Sequence, residues 1–220
     1  MTFDQSGAFP WNQKAPEPSN PETAGASRHV QMDDLRCVAA VRRGETEAFG
    51  EIVRRYQDRL FNTILRLLGD YQEAKDLTQQ ALMRAYVSLD GFRGDSGFYT
   101  WLYRIAVNVT LDAREKRARS PEVGGEMLAA GTDDEARFEP AAKAADDPAE
   151  QVLASEREAE VAKAVRSLDD DHRSVLVLRD IEGMGYDEIA SVLGLPRGTV
   201  KSRLHRARLE LRDKLKDLVS

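Results

Sequence analysis

Cysteine is nearly absent: the chain holds one, Cys37, which excludes an internal disulfide and suits a reducing compartment. Histidine is scarce too, and His29, His172 and His205 lie far apart with no ligand partner at metal spacing, so no metal site is expected. Apolar runs extend only a few residues, which leaves no segment for a membrane span and no expectation of membrane insertion. The opening stretch MTFDQSGAFPWNQKAPEPSNPETAG has neither a basic start nor an apolar signal segment, so a cytoplasmic location is expected. No phosphate-cradling glycine loop, nucleophile elbow or metal-ligand spacing occurs. The expectation is therefore a protein that is not an enzyme and has no cofactor or small-molecule substrate. Aromatic residues are few (7 Phe, 6 Tyr and 2 Trp), yet Tyr86, Phe92, Phe98, Tyr99, Trp101 and Tyr103 crowd around one glycine-rich turn.

Charge is what the chain has in abundance. Charged residues make up 32% of the 220, above the usual quarter, beside a hydrophobic content of 41% that is ample for a folded protein. The length allows one medium domain or two small ones. The net charge of −6 is unevenly spread: residues 120–150 carry nine acids against two bases, whereas residues 197–216 carry eight bases against two acids. Such segregation is more informative than the sum, because it separates an acidic stretch from a basic helix.

Apolar spacing predicts helices throughout and no strands. Residues 1–32, rich in Pro, Ser, Asn and Gly, are expected to be a disordered tail. Phe49, Ile52, Val53, Tyr56, Leu60, Ile64, Leu67 and Leu68 recur at three and four, with Thr46 as candidate N-cap and Gly69 as the stop. A second helix is predicted from about Asp70 to Leu89, packing through Ala74, Leu77, Ala81, Leu82 and Ala85. A third follows the turn, with Ser96 as candidate cap and a stripe of Phe98, Leu102, Ile105 and Val109. After Arg119 the sequence SPEVGGEMLAAGTDDEARFEPAAKAADDPAE has no sustained period and reads as a linker that can reach roughly 100 Å, at about 3.3 Å per residue. Helical pattern returns at about 151–168, 171–183, 186–193 and 197–216. The prediction is an all-α chain of two small helical domains, 33–118 and 151–220, joined by a flexible acidic linker over 119–150.

The second domain ends in GYDEIASVLGLPRGTVKSRLHRARLELRDKL, which has the layout of a helix-turn-helix. A short helix turns Ile189, Ala190 and Val192 or Leu193 inward, Gly194 takes a turn position open to positive φ, and Pro196 prevents continuation. Val200, Leu204, Ala207 and Leu211 then form the buried stripe of a basic helix. Rotated away from it, Lys201, Ser202, His205 and Arg206 share a face whose chemistry suits base edges in a major groove. Arg197, Thr199, Arg203 and Arg208 are placed to grip flanking phosphates.

Both halves together resemble one family, the extracytoplasmic-function class of bacterial sigma factors, and its sigma-E-like subgroup in particular. EAFGEIVRRYQDRLFNTILRLLGD and EAKDLTQQALMRAYVSL are similar to the family's polymerase-binding helices, FRGDSGFYTWLYRIAVN to its promoter-melting loop and helix, and LRDIEGMGYDEIASVLGLPRGTVKSRLHRAR to its module for the upstream element. The resemblance covers about 34–118 and 151–215. It implies binding to core RNA polymerase (the clamp helices of the largest subunit, and the flap) and to promoter DNA at the minus-thirty-five and minus-ten elements. It also implies control by an anti-sigma factor, a stress-type regulon and a GGAA-like upstream motif. For the loop at Leu89 to Ser96 it implies that Phe92 stacks on an extruded base, with Arg93 beside it and Arg104 and Asn108 as polar contacts. For polymerase it implies Asp76 and Gln79, with Gln80 where many members carry Glu, and Leu67 and Leu68 either exposed for that partner or in the core. Tyr99, Trp101 and Tyr103 stand open between packing and DNA contact.

From the acidity of the linker, Asp133, Asp134 and Glu135 are expected to occupy the polymerase's RNA path as a nucleic-acid mimic. Acidic balance favours a subunit that meets DNA only when held by polymerase, since a free-standing repressor gains affinity from a basic surface. The alternatives are a free-standing helix-turn-helix regulator dimerising on paired half-sites, or a helical adaptor whose basic helix binds an acidic protein.

Overall fold

The described residues, 21–119 and 159–219 of a computed structural model, form helices and turns only. The tail before residue 21 and the linker residues 120–158 lie outside them, and with these the expectations for Asp133, Asp134 and Glu135.

Helix α1 spans Pro21–Arg42 and so begins well before Asp33. Residues 21–32, assigned from composition to a disordered tail, are its first half. Proline opens the helix in its first turn, where its missing N–H has no intrahelical partner to lose. A 3₁₀ turn, Thr46–Ala48, then runs directly into α2, Phe49–Leu68. Thr46 therefore does not cap α2 through its side chain: the backbone is already helical at Ala48. Gly69, at φ 80°, ends α2 as expected.

The Asp70 carboxylate accepts from the Glu73 N–H at 2.8 Å and starts α3, Tyr71–Val87. Ala74, Ala81 and Ala85 are fully buried, so α3 lies close against its neighbours α2 and α4, the latter spanning Phe98–Arg119. Gly97, not Ser96, is the residue before α4. A 3₁₀ turn at Leu89–Gly91 precedes the connecting loop.

The second half comprises α5 (described over 159–166), α6 at Asp170–Leu176, a π turn at Val177–Ile181, α7 at Tyr186–Leu193 and α8 at Arg197–Val219. Gly194 takes φ 65° between α7 and α8, and Val200, Leu204, Ala207 and Leu211 are all buried against α6 and α7. The two halves do not stand apart. Helix α7 packs on α4, and buried apolar residues of both halves join in one connected cluster. Arg173 adds a polar seam, donating across to the Leu67 carbonyl at 2.8 Å while it also donates within its own half to those of Arg166 at 2.6 Å and Leu168 at 2.8 Å. Arg114 of α4 pairs with Asp170 of α6.

Candidate nucleic-acid and polymerase interfaces

The reading face of α8 is set by what the opposite face buries. With Val200, Leu204, Ala207 and Leu211 turned inward, Lys201, Ser202, His205 and Arg206 are exposed together. Among the described residues, Lys201, His205 and Arg206 make no ion pair or hydrogen bond, so their donors are unspent. The Ser202 hydroxyl donates to the Thr199 carbonyl at 3.0 Å. Arg197 is exposed, 3.5 Å from Asp187.

Two arginines expected on phosphates are engaged elsewhere. Arg203, partly buried, pairs with Asp171 at 2.6 Å. Arg208 forks onto Asp180, at 3.0 Å from Nε and 2.5 Å from Nη2, and the Asp180 side chain is 2% exposed. The hydrogen bonds it donates to Asp180, against the opposing pull of burial, hold the Arg208 guanidinium above its ordinary range. Arg208 thus clamps α8 to the π turn.

At the loop between α3 and α4, Arg42 donates to the carbonyls of Leu89 at 2.8 Å, Asp90 at 3.1 Å and Phe92 at 2.5 Å. The loop base is therefore pinned from α1. Phe92 is 5% exposed, with its centroid 5.6 Å from Phe98 and 5.3 Å from Trp101. In the chain by itself both the loop and the ring fold onto the domain, because burying the ring is favourable in water. Arg93, Gly94 and Asp95 form the exposed tip. Trp101 is partly buried in the same ring cluster.

A groove of about 920 Å³ runs between α3 and α4, lined by Asp76, Gln79, Gln80, Met83, Arg84, Val87, Ser88, Ile105 and Asn108. It unites the polar residues expected to meet polymerase with Asn108, expected on DNA. Leu67 is not among them: at 1% exposure it is core, and Leu68 packs against the same core. The exposed apolar residues lining this groove are instead Met83 at 70% and Val87 at 82%. They went unmarked in the sequence, although Asp76, Gln80, Met83 and Val87 follow a second stripe spaced four, three and four beside the alanine stripe.

Where α4 meets the second half, the geometry turns polar. Glu182, just past the π turn, is 3% exposed at its side chain and receives Arg59 Nε at 2.8 Å, the Thr63 hydroxyl at 2.6 Å, and the phenols of Tyr103 at 3.0 Å and Tyr99 at 3.3 Å. Arg59 also lies 4.8 Å from the Tyr99 ring centroid. Burial first, then Tyr103 and Glu182, pushes the Tyr99 phenol well above its ordinary value; burial and Glu182 do the same to Tyr103. Both phenols keep their protons and donate. Nearby, Thr100 donates to Glu188 at 2.8 Å and Arg104 to the Ser191 hydroxyl. Arg104 is thus covered by α7. Glu182 was not singled out in the sequence. The one available signal was two acids, Asp180 and Glu182, closing the apolar run VLVLRDIE, where burial demands partners.

Comparison with known proteins places both halves. The family described as sigma-70 region 2 matches residues 52–120, and sigma-70 region 4 matches 158–211. The chain is 40% identical to the RNA polymerase sigma-H factor of Pseudomonas aeruginosa over 182 residues, covering 81% of this chain and 92% of that one. It is 36% identical to the extracytoplasmic-function sigma factor SigW of Bacillus subtilis, over 86% of this chain and all of that protein. The sigma-E factor of Escherichia coli is also 36% identical, over 86% and 97%. Among solved structures, the sigma factor RpoE of Bartonella quintana, held by the anti-sigma factor NepR, superposes with a TM-score of 0.57 at 26% identity, over 77% of this chain and 98% of that one. CnrH, in complex with the cytosolic domain of CnrY, gives 0.58 at 26%, over 85% and 97%.

Proposed function

The chain belongs to the extracytoplasmic-function class of RNA polymerase sigma factors, the subunits that initiate transcription at promoters, and from that premise we propose how its surfaces divide the work. Helix α8 reads the minus-thirty-five element through Lys201, Ser202, His205 and Arg206, with Arg197 and Thr199 on the phosphates flanking them. The groove between α3 and α4 takes the polymerase clamp helices: Asp76, Gln79 and Gln80 supply polar contacts, and Met83 and Val87 an apolar anchor. The loop tip at Arg93, with Arg104 and Asn108 of α4, receives the minus-ten strand as it opens. Phe92 supports that loop from beneath, and Arg203 steadies α8 against α6.

The observation that carries this reading is the exposed, unpartnered cationic set on α8, opposite an apolar stripe that fixes its direction. Its partners are core polymerase, promoter DNA and an inhibitory protein of the kind found on the similar sigma factor from Bartonella quintana. The site of action is the cytoplasm, where polymerase works, and no helix among the described residues is long and apolar enough to cross a membrane. Run-off transcription from a promoter library, with and without core polymerase, tests the division. Transcripts from a defined promoter class that fall away in the α8 variants support it. Specific duplex binding by the isolated chain, with transcription unchanged by those variants, favours a free-standing regulator.

A further inference from the structure

We propose that Arg59, Thr63, Tyr99 and Tyr103 form a carboxylate-binding pocket on the first domain, that Glu182 of the second domain is its occupant, and that this latch keeps α7 over the promoter-facing side of α4. The proposal rests on the reading of α4 as that side.

The pocket's chemistry is selective. It offers four donors, from one guanidinium, one threonine hydroxyl and two phenols, all directed at one carboxylate. The Arg59 Nη2 and the Tyr99 phenol also reach the Glu182 main-chain carbonyl, at 3.0 and 3.5 Å. A carboxylate accepts without donating, so it alone among side chains satisfies such a set without opposing donors. The donors to its carboxylate belong to the first domain, so Glu182 serves the contact between the domains and not the helix-turn-helix itself. The π turn at Val177–Ile181, closed by the Glu182 N–H on the Val177 carbonyl at 3.0 Å, delivers the side chain across the boundary.

Occlusion follows from the neighbouring contacts. With Glu182 seated, Glu188 is held by Thr100 and Ser191 by Arg104, so α7 covers Arg104, one of the α4 positions proposed to contact a promoter strand, while Asn108 stays exposed. The reading face of α8 stays exposed. The closed chain therefore presents its upstream-element reader while keeping Arg104 of its melting surface occupied by α7, and full engagement of a promoter strand requires Glu182 to leave. Two occupants compete for one face, and the equilibrium between them is set by how much better each state holds its ligand.

Small-angle scattering and run-off transcription on the full chain test the latch. Glu182→Gln keeps the size but turns an amide N–H₂ toward donors, and Tyr103→Phe keeps the ring and removes one of those donors. Both are expected to enlarge the radius of gyration while circular dichroism remains helical. At limiting core polymerase, Glu182→Gln should raise transcript about three-fold or more, in line with a shifted population. If Glu182→Gln unfolds the chain, Thr63→Val and Tyr103→Phe carry the same measurement. Unchanged scattering in these variants overturns the latch, and expansion without extra transcript overturns its inhibitory role. If Arg104→Ala and Asn108→Ala leave transcription untouched in the expanded background, the reading of α4 fails, whereas the scattering result still judges the pocket.

Discussion

At position 92 a phenylalanine suits two environments, the loop tip proposed to meet the minus-ten strand and the ring cluster beneath it. The structure seats it with Phe98 and Trp101. Phe92→Ala is therefore expected to cost about 3–5 kcal/mol of folding stability, as for other buried rings, and chemical denaturation measures it. A loss below about 1 kcal/mol means the ring contributes little packing. Arg206 presents the opposite case. Exposed and unpartnered on α8, it can be changed to alanine with little effect on folding but at a cost of roughly 1–3 kcal/mol at one upstream base pair. Binding of holoenzyme to a set of single-base promoter variants reads this directly, and an equal loss on every sequence makes Arg206 a phosphate contact. Arg208 looks similar in sequence but is tied to Asp180, so Asp180→Asn is expected to lower stability by about 1.5–3 kcal/mol.

Helix α3 shows how one element serves two partners. Its alanine stripe lets α2 and α4 close in, and the stripe beside it leaves Met83 and Val87 in solvent. An aspartate at position 83 should leave the unfolding transition within about 0.5 kcal/mol of wild type, because so exposed a side chain contributes little to the fold. The same Met83→Asp change should weaken core polymerase binding about ten-fold or more if the residue is an anchor. Fluorescence anisotropy with labelled chain distinguishes the two effects. The loop before α4 depends on a residue from another element. Arg42 donates to three of its carbonyls, so Arg42→Ala should speed amide hydrogen exchange across residues 89–97 while the α2 core stays protected.

Across the whole molecule, the Glu182 pocket couples the relation of the two domains to pH. Tyr99 and Tyr103 bind their protons more tightly when folded and closed than when exposed. Below the ordinary phenol value of about 10 both states are protonated and the contribution is fully present. Above it the open or unfolded chain releases protons that the closed chain retains, so stability falls as pH rises. Denaturation and scattering followed upward from neutral pH should show the closed form weakening beyond about pH 10, with a shallower slope in Tyr103→Phe.

Which parts of this were readable in the one-dimensional chain follows from the range of the forces involved. Helical periodicity, the positive-φ glycines at 69 and 194, the Asp70 cap and the buried stripe of α8 are local, decided within a turn or two by spacing and backbone sterics. Those features brought the all-helical class, the two modules and the basic reading face into view before any coordinates. Only the tertiary structure decided that Phe92 and Leu67 are buried, that Arg208 is spent on Asp180, and that Glu182 reaches Arg59, Thr63, Tyr99 and Tyr103 from far along the chain. A side chain's choice between solvent and partner depends on the free energy of contacts between distant segments, and no periodicity in the sequence encodes which segments will meet.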